Sequence, residues 1–281
     1  MSLETGFPVQ HGEWAFTGYS LAGITTSVFC KTASVCFDVG QGLPFQLPAR
    51  NILITHAHLD HASGVPYLIA QKNMNGQENT RFFVPLSLAE PLEKILKLWE
   101  SVDGHEYKYE LRGVKPGELV DLDKIYAFRA FATPHRVESQ GYLLFQKKKK
   151  LKQKFAGATQ EMIIAAKAAG EEPNESLLEP VVAFTGDTKI EFLASDPDVA
   201  RARILFVEAT FWDEAKPVEH ARRWGHIHIE ELLAILPQLQ NEKIVLIHAS
   251  VRYSTAFLQD VLDRRLSSED KKRVVLFPRT L

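Results

Sequence analysis

Cysteine is nearly missing from this sequence: Cys30 and Cys36 are its two examples in 281 residues. They lie in neighbouring strand-like runs, 27–31 and 34–39, across a short turn. A disulfide-built scaffold is excluded, and neither thiol has a ligand-type neighbour, so the pair reads as two buried free thiols in a reducing compartment. No apolar run approaches the roughly 20 residues that a membrane-spanning helix needs. The stretch 1–10 has neither the basic start nor the apolar core of a signal peptide. Together these absences predict a cytoplasmic protein with no membrane partner. A dominant charge of one sign is also lacking, since 33 Lys and Arg face 35 Asp and Glu, for a net charge of −2. Bulk electrostatics therefore does not mark a nucleic-acid binder, although a local basic patch could serve one.

What the chain does have is histidine in a tight pattern. Thr55-His56-Ala57-His58-Leu59-Asp60-His61 follows the apolar run Ile52-Leu53-Ile54. A buried strand thus delivers three imidazoles and one carboxylate to a turn, and that donor set suits zinc or a similar divalent ion. His56 and His58 are two apart and project to one side in extended backbone. Asp60 and His61 come where a helix-like stretch, 62–72, begins, so they can face a second ion. Four such residues within one turn are hard to explain as packing.

The same device recurs along the chain. Phe131-Ala132-Thr133-Pro134-His135, Phe184-Thr185-Gly186-Asp187-Thr188, Ile204 to Glu208, and Ile247-His248 each end an apolar strand on a polar, chemistry-bearing residue. Strands ending on one edge of a packed layer bring His56, His135, Asp187 and His248 together, with Asp187 placed to bridge two ions. Asp38, before Gly40, reads either as a neighbour of this site or as a turn former. Helical spacing appears in 86–102, 160–169, 229–239 and 257–266, and strand patterns in 13–39, 82–85, 107–111, 125–132, 142–145 and 274–277, with a turn at 113–117. Mixed strands and helices without a composition break predict one α/β layered domain spanning 1–281. Residues 146–180 read as an insertion. It opens with Lys147, Lys148, Lys149, Lys150, Lys152 and Lys154, which form either a solvated face or a phosphate-contacting patch.

Taken in order, His56-x-His58-x-Asp60-His61, His135, Asp187 and His248 resemble the metallo-β-lactamase superfamily. His135 to Tyr142, Phe184 to Thr188, Glu208-Ala209-Thr210-Phe211, Glu219-His220-Ala221-Arg222, Gly225 to His228 and His248 to Tyr253 narrow the likeness to RNase Z, the transfer-RNA 3′-processing endonuclease, in its short plant-type form. The resemblance runs from about residue 17 to the C-terminus. It implies a four-layer αβ/βα sandwich with two zinc ions at one edge, manganese or iron being able to fill similar ligands. His56, His58 and His135 would hold the first ion, Asp60, His61 and His248 the second, and Asp187 would bridge. Homodimers are also implied. The glycine- and proline-rich arm of many bacterial relatives is not evident in 146–180.

The implied reaction is removal of 3′ trailers from precursor tRNA, in which metal-activated hydroxide attacks phosphorus. Asp60 would orient or deprotonate the nucleophile. Glu208 and His226 would form the pair that protonates the leaving 3′-oxygen. Arg252 would contact a phosphate or form a salt bridge, and the lysine run is the candidate for gripping the RNA backbone. His228 reads as structural, and His220 and His105 as surface residues. The competing reading is a hydrolase on the same scaffold that acts on a small phosphodiester or ester.

Overall fold

The central strands of this chain, Thr25–Cys30, Val35–Phe37, Asn51–Leu53 and Ile204–Glu208, are buried on both faces, so they lie between layers. The computed structural model describes residues 5–279. Residues 1–4, part of the stretch read as lacking a signal peptide, and residues 280–281 lie outside the described residues. The first sheet runs in simple order through β1 (Phe7–His11), β2 (Trp14–Leu21), β3 (Thr25–Cys30), β4 (Val35–Phe37), β5 (Asn51–Leu53), β6 (Arg81–Pro85) and β7 (Glu110–Val114). The second runs through β8 (Leu119–Asp121), β9 (Tyr126–Ala132), β10 (Gln140–Leu151), β11 (Asn174–Phe184), β12 (Ile204–Glu208), β13 (Lys243–Ile247) and β14 (Val274–Leu276). In each sheet the first four strands pair antiparallel and the last four pair parallel. The two halves are thus built alike, a duplication that no sequence repeat announces.

Alternation along β12 divides the interior. Ile204 and Phe206 face the core between the sheets, and Leu205 and Val207 face the outer helices. Across the central layer Phe37 stacks on Phe184 at 5.0 Å and Phe16 meets Phe206 edge-on at 4.9 Å. Helices α2 (Val65–Met74) and α3 (Leu86–Asp103) cover the first sheet through Val65, Leu68, Leu92 and Leu96. Helices α6 (Ile229–Ile235) and α7 (Thr255–Arg265) cover the second through Leu232, Leu258 and Leu262. This is the expected αβ/βα sandwich. Cys30 and Cys36 are free and buried, as expected, and burial pushes both thiols up to about 12.

Several boundaries differ from the sequence reading. The helix expected over 62–72 breaks into α1 (Leu59–Ala62) and α2, because the chain must turn at Gly64. A Cβ there would lie 2.1 Å from the Gly42 nitrogen. The strand expected at 107–111 lies at Glu110–Val114, so Gly113 is in a strand rather than a turn. Helix α6 stops at Ile235, one residue before a 3₁₀ turn that contains Pro237. Strands β1 and β8 escaped the sequence reading. The largest difference is the lysine-rich segment. Beyond Gln146, β10 no longer pairs with β9, yet it continues against β11 from Lys147 opposite Leu178 to Leu151 opposite Asn174. Residues 146–180 therefore extend the sheet as a two-stranded ribbon, capped by α4 (Gln160–Ala168). Lys147 to Lys150 of the lysine run are strand and alternate between the ribbon's two faces, while Lys152 follows the strand and Lys154 lies in a 3₁₀ turn at Gln153–Phe155.

Buried Lys72 on α2 ties the 44–49 turn to the sheet. Its Nζ donates to the carbonyls of Leu47 (2.6 Å) and Ala49 (2.7 Å) and to Gln77 Oε1 (3.0 Å). Lys72→Met strands these acceptors and is expected to lower the unfolding free energy by about 2–3 kcal/mol, read from urea denaturation; an unchanged midpoint would contradict the role.

Candidate metal centre

Parallel strands that end on the same edge carry their next residues into one cleft. β5 leads into Thr55-His56, β9 into Thr133 and His135, β11 into Asp187, and β13 into His248. One-turn helix α1 then presents Asp60 and His61. The backbone bends sharply here. Among the described residues three non-glycines have left-handed φ, and two of them, Asp38 (53°) and His248 (59°), belong to this cleft. Gly186 is left-handed as well, and a Cβ on it would sit 2.7 Å from the Thr55 side chain.

The side chains gather into two groups around one carboxylate. His56, His58, His135 and Asp187 bring one donor atom each within 4.8 Å of one another, and so do Asp60, His61 and His248. Asp187 turns Oδ2 toward His56 Nε2 (3.7 Å) and Oδ1 toward both His61 Nε2 and His248 Nε2 (3.3 Å each). Its two oxygens therefore face the two groups. Asp60 Oδ2 is 3.3 Å from His248 Nε2 and is steadied by the Gly23 amide, which donates to it at 2.8 Å.

A metal fits these residues. His56 Nε2 is buried with no hydrogen-bond partner, and so is Asp187 Oδ1. His58 Nδ1 and His135 Nε2 are 3.3 Å apart, and His61 Nε2 and His248 Nε2 are 3.4 Å apart. Ligands held at about 2.0–2.1 Å in tetrahedral array are separated by about 3.3 Å. Burial first, and neighbouring imidazoles second, lower the pKa of His56 and His58, and burial also lowers that of His135, so all three are neutral and able to ligate.

Four of the five imidazoles, all but His58, are also held from behind. The Thr55 hydroxyl donates to Asp38 Oδ2 (2.9 Å), so it must accept from His56 Nδ1 (2.9 Å). On the other side the Thr210 hydroxyl donates to Glu208 Oε2 (2.6 Å) and accepts from His248 Nδ1 (2.9 Å). His61 Nδ1 donates to Asp38 Oδ2 (2.7 Å) and His135 Nδ1 to the Gly225 carbonyl (2.7 Å). These bonds turn the opposite ring nitrogen toward the centre. Burial opposes charge on His61, but Asp187 and Asp38 override it and raise its pKa well above the ordinary value. Asp187 is pulled the other way: burial resists ionisation, and His248 and His61 hold its carboxyl well below the usual range.

Glu208 and His226 stand beside the second group. His226 Nδ1 donates to Glu208 Oε1 at 2.9 Å. Glu208 is fully buried and also accepts from the Thr188 amide (2.7 Å) and the Ile227 amide (3.2 Å). It is therefore closed off from the cleft and bears on it only through the groups it holds. Burial works against charge on His226, and the Glu208 carboxylate more than offsets it, raising the pKa to about 9.

Other residues fall where the sequence did not point. Thr55 and Thr210 complete the hydrogen-bond relays and gave no signal beyond their place next to ligand-type residues. Asp38, open between two readings, serves both as a site residue and as a left-handed turn. His228 is structural, capping α6 by accepting from the Glu230 amide. His220, read as a surface residue without partners, packs at 5.1 Å from Phe211 and 6.2 Å from Trp224. Arg252 is exposed. Lys147 pairs with Asp121, Lys148 with Glu179 and Lys154 with Glu171, whereas Lys149 feels Glu172 only at longer range and Lys150 lies opposite Glu175 in the ribbon.

A family profile described as "Beta-lactamase superfamily domain" matches residues 41–249. The chain is 33% identical over 265 residues to tRNase Z TRZ1 of Arabidopsis thaliana, covering 93% of this chain and 91% of the relative. It is 33% identical over 270 residues to the chloroplastic tRNase Z TRZ2 of the same plant, covering 95% of this chain and 76% of the relative. Among solved structures it resembles human tRNase Z, short form, with a TM-score of 0.57 at 18% identity, covering 84% of this chain and 92% of that one. It also resembles the metallo-beta-lactamase fold protein YhfI from Bacillus subtilis, with a TM-score of 0.62 at 13% identity over 92% of each chain. At those identities the two structures bear on the fold alone.

Removing the carboxylate behind His56 and His61 is expected to loosen the centre. Asp38→Ala should lower affinity for a divalent ion about 10- to 100-fold, measured by chelator competition on protein shown by circular dichroism to be folded. Wild-type affinity would refute the relay.

Proposed function

Because the chain belongs to the ribonuclease Z family of the β-lactamase superfamily, we propose that it is a zinc-dependent endoribonuclease that removes 3′ trailers from precursor tRNA. The observation that carries this reading is Asp187 set between two groups of ligand-type side chains, with His226 held beside it by Glu208. His56, His58 and His135 would hold one ion, Asp60, His61 and His248 another, and Asp187 would bridge them. When bound, the two ions would supply an activated water and neutralise charge on the phosphate. Asp60, fixed by the Gly23 amide, would orient or deprotonate the nucleophile. His226 keeps Nδ1 on Glu208, so Nε2 is the atom that gives its proton to the leaving 3′-oxygen. The β10–β11 ribbon, through Lys149, Lys150 and Lys152, would meet the RNA backbone, with Arg252 contributing at the cleft.

Two further features fit the family. Helices α2 and α3 expose Tyr67, Met74, Ile95 and Trp99 around an apolar groove of about 710 Å³, which also takes in Leu59 of the histidine cassette. Such a patch on a folded domain suits a second copy of the chain, and we assign it to a homodimer. No helix among the described residues is long and apolar enough to cross a membrane, and two free buried thiols suit the cytoplasm.

Incubating the zinc-loaded protein with a 5′-labelled, 3′-extended pre-tRNA should release one shortened tRNA; turnover of bis-p-nitrophenyl phosphate with pre-tRNA left intact would overturn the proposal. In that assay His226→Ala should lower kcat about 10²- to 10⁴-fold with the metal retained. Alanine at Lys149, Lys150 and Lys152 should flatten the salt dependence of pre-tRNA binding by up to about three in log–log slope. Light scattering should find a dimer that Trp99→Asp converts to monomer; a monomeric wild type would contradict the assignment of the α2–α3 face.

A further inference from the structure

An aromatic and cationic cluster outside both ligand groups lies along the His226 side of the cleft. Trp224 ends α5 (Val218–Trp224) and is 46% exposed. The Arg136 guanidinium lies over its ring, 4.6 Å from the centroid. His220, one turn earlier on α5, is 6.2 Å from Trp224 and 5.1 Å from Phe211, and Phe211 in turn is 6.1 Å from His226. No carboxylate among the described residues lies within ion-pair distance of Arg136, Arg223 or Arg252. Lys216, Arg223 and Arg252 all bear electrostatically on His220. An exposed indole with a guanidinium over its ring offers a flat, electropositive surface.

The cluster is fastened to the centre. Gly225, left-handed at φ 81°, follows Trp224 directly, and its carbonyl takes the His135 Nδ1 proton. A Cβ at this position would lie 2.7 Å from His135 Nδ1 and 3.1 Å from the Arg136 nitrogen. The backbones of 135–136 and 224–225 thus lie against each other, so Trp224 and Arg136 keep a fixed position relative to a ligand-type imidazole. The position has a chemical meaning, on the reading that His226 protonates the leaving 3′-oxygen. The nucleoside bearing that oxygen must lie on the His226 side of the scissile phosphate, where the Phe211, His220 and Trp224 rings stand.

We propose that Trp224, with Arg136 across it, is the stacking platform for the nucleobase immediately 5′ of the scissile phosphate, and that it sets which phosphate enters the centre. Stacking on an aromatic face tolerates any base and is worth about 5- to 100-fold in affinity. The platform is a positioning device, since it touches the substrate's base and not the reacting atoms.

The test uses the zinc-loaded protein and a pre-tRNA with 2-aminopurine at the nucleotide 5′ of the cleavage site and a non-hydrolysable phosphonate at the scissile linkage. Binding should quench the fluorophore on the wild type, partly on Trp224→Phe, and not on Trp224→Ala. Equal quenching on wild type and Trp224→Ala would overturn the platform, as would quenching that appears only when the fluorophore sits on the first trailer nucleotide. On a cleavable substrate Trp224→Ala should lower kcat/KM about 10-fold, with Trp224→Phe recovering most of it. With an abasic nucleotide 5′ of the bond, wild type and Trp224→Ala should converge. An equal loss on intact and abasic substrates would assign Trp224 a purely structural role. Failure of the functional reading gives a different result: no cleavage of pre-tRNA by the wild type, whatever the fluorescence.

Discussion

Imidazoles that must share a centre cannot be left to choose their own tautomers. Two carboxylates impose that choice. Asp38 accepts hydrogen bonds from the Thr55 hydroxyl and His61 Nδ1, and Glu208 accepts from the Thr210 hydroxyl and His226 Nδ1. Each threonine, its one O–H so engaged, must accept a hydrogen bond from a histidine, His56 in one case and His248 in the other. For His56 the consequence is an Nε2 acceptor left at the middle of the cleft without a protein partner, whereas His226, charged beside Glu208, keeps its Nε2 proton. Buried acceptors of this kind are costly unless something of opposite character lies between them.

The fold exists to bring those relays to one edge. Phe37 and Phe184 stack across the two sheets, one residue before Asp38 and three before Asp187. Tyr142 reaches across the same interface to donate to the Ile54 carbonyl at 2.7 Å, directly behind Thr55 and His56. The central core therefore sets the spacing of the two halves of the site. The left-handed turns at Asp38, Gly186 and His248 are the strain that this convergence requires, held by packing on both sides.

Around this edge the surface divides by chemistry. The β10–β11 ribbon carries cationic side chains away from the body, the α2–α3 groove is apolar, and the Trp224–Arg136 cluster is both flat and charged. The first suits a polyanion's backbone, the second a second copy of the chain, and the third a base. In the proposed function their separation would let one small domain bind an extended partner while the centre stays rigid. Glu208, bonded four times and shut off from solvent, belongs to that rigid part, and in the proposed function it acts only through His226.

Much of this was legible in the chain because it is local. His56 to His61 share one turn, and each later candidate follows an apolar strand, so periodicity and spacing were enough to nominate seven ligand-type side chains and a layered α/β fold. The pair Glu208 and His226 entered through family resemblance, being 18 apart. What could not be read is whatever depends on partners distant in sequence. Asp38 meets His61 across 23 residues and Thr210 meets His248 across 38, and nothing in either threonine's neighbourhood foretells the bond. The lysine run read as the start of an insertion without a strand of its own, because charge periodicity carries no strand signal, whereas pairing of 147–151 with 174–178 makes most of it a ribbon. His220 looked idle until Phe211 and Trp224 were folded against it. Local spacing chose the chemistry of this protein; long-range pairing of strands chose the tautomers, the strain and the surfaces, because hydrogen bonds and ring contacts are made in space and not along the chain.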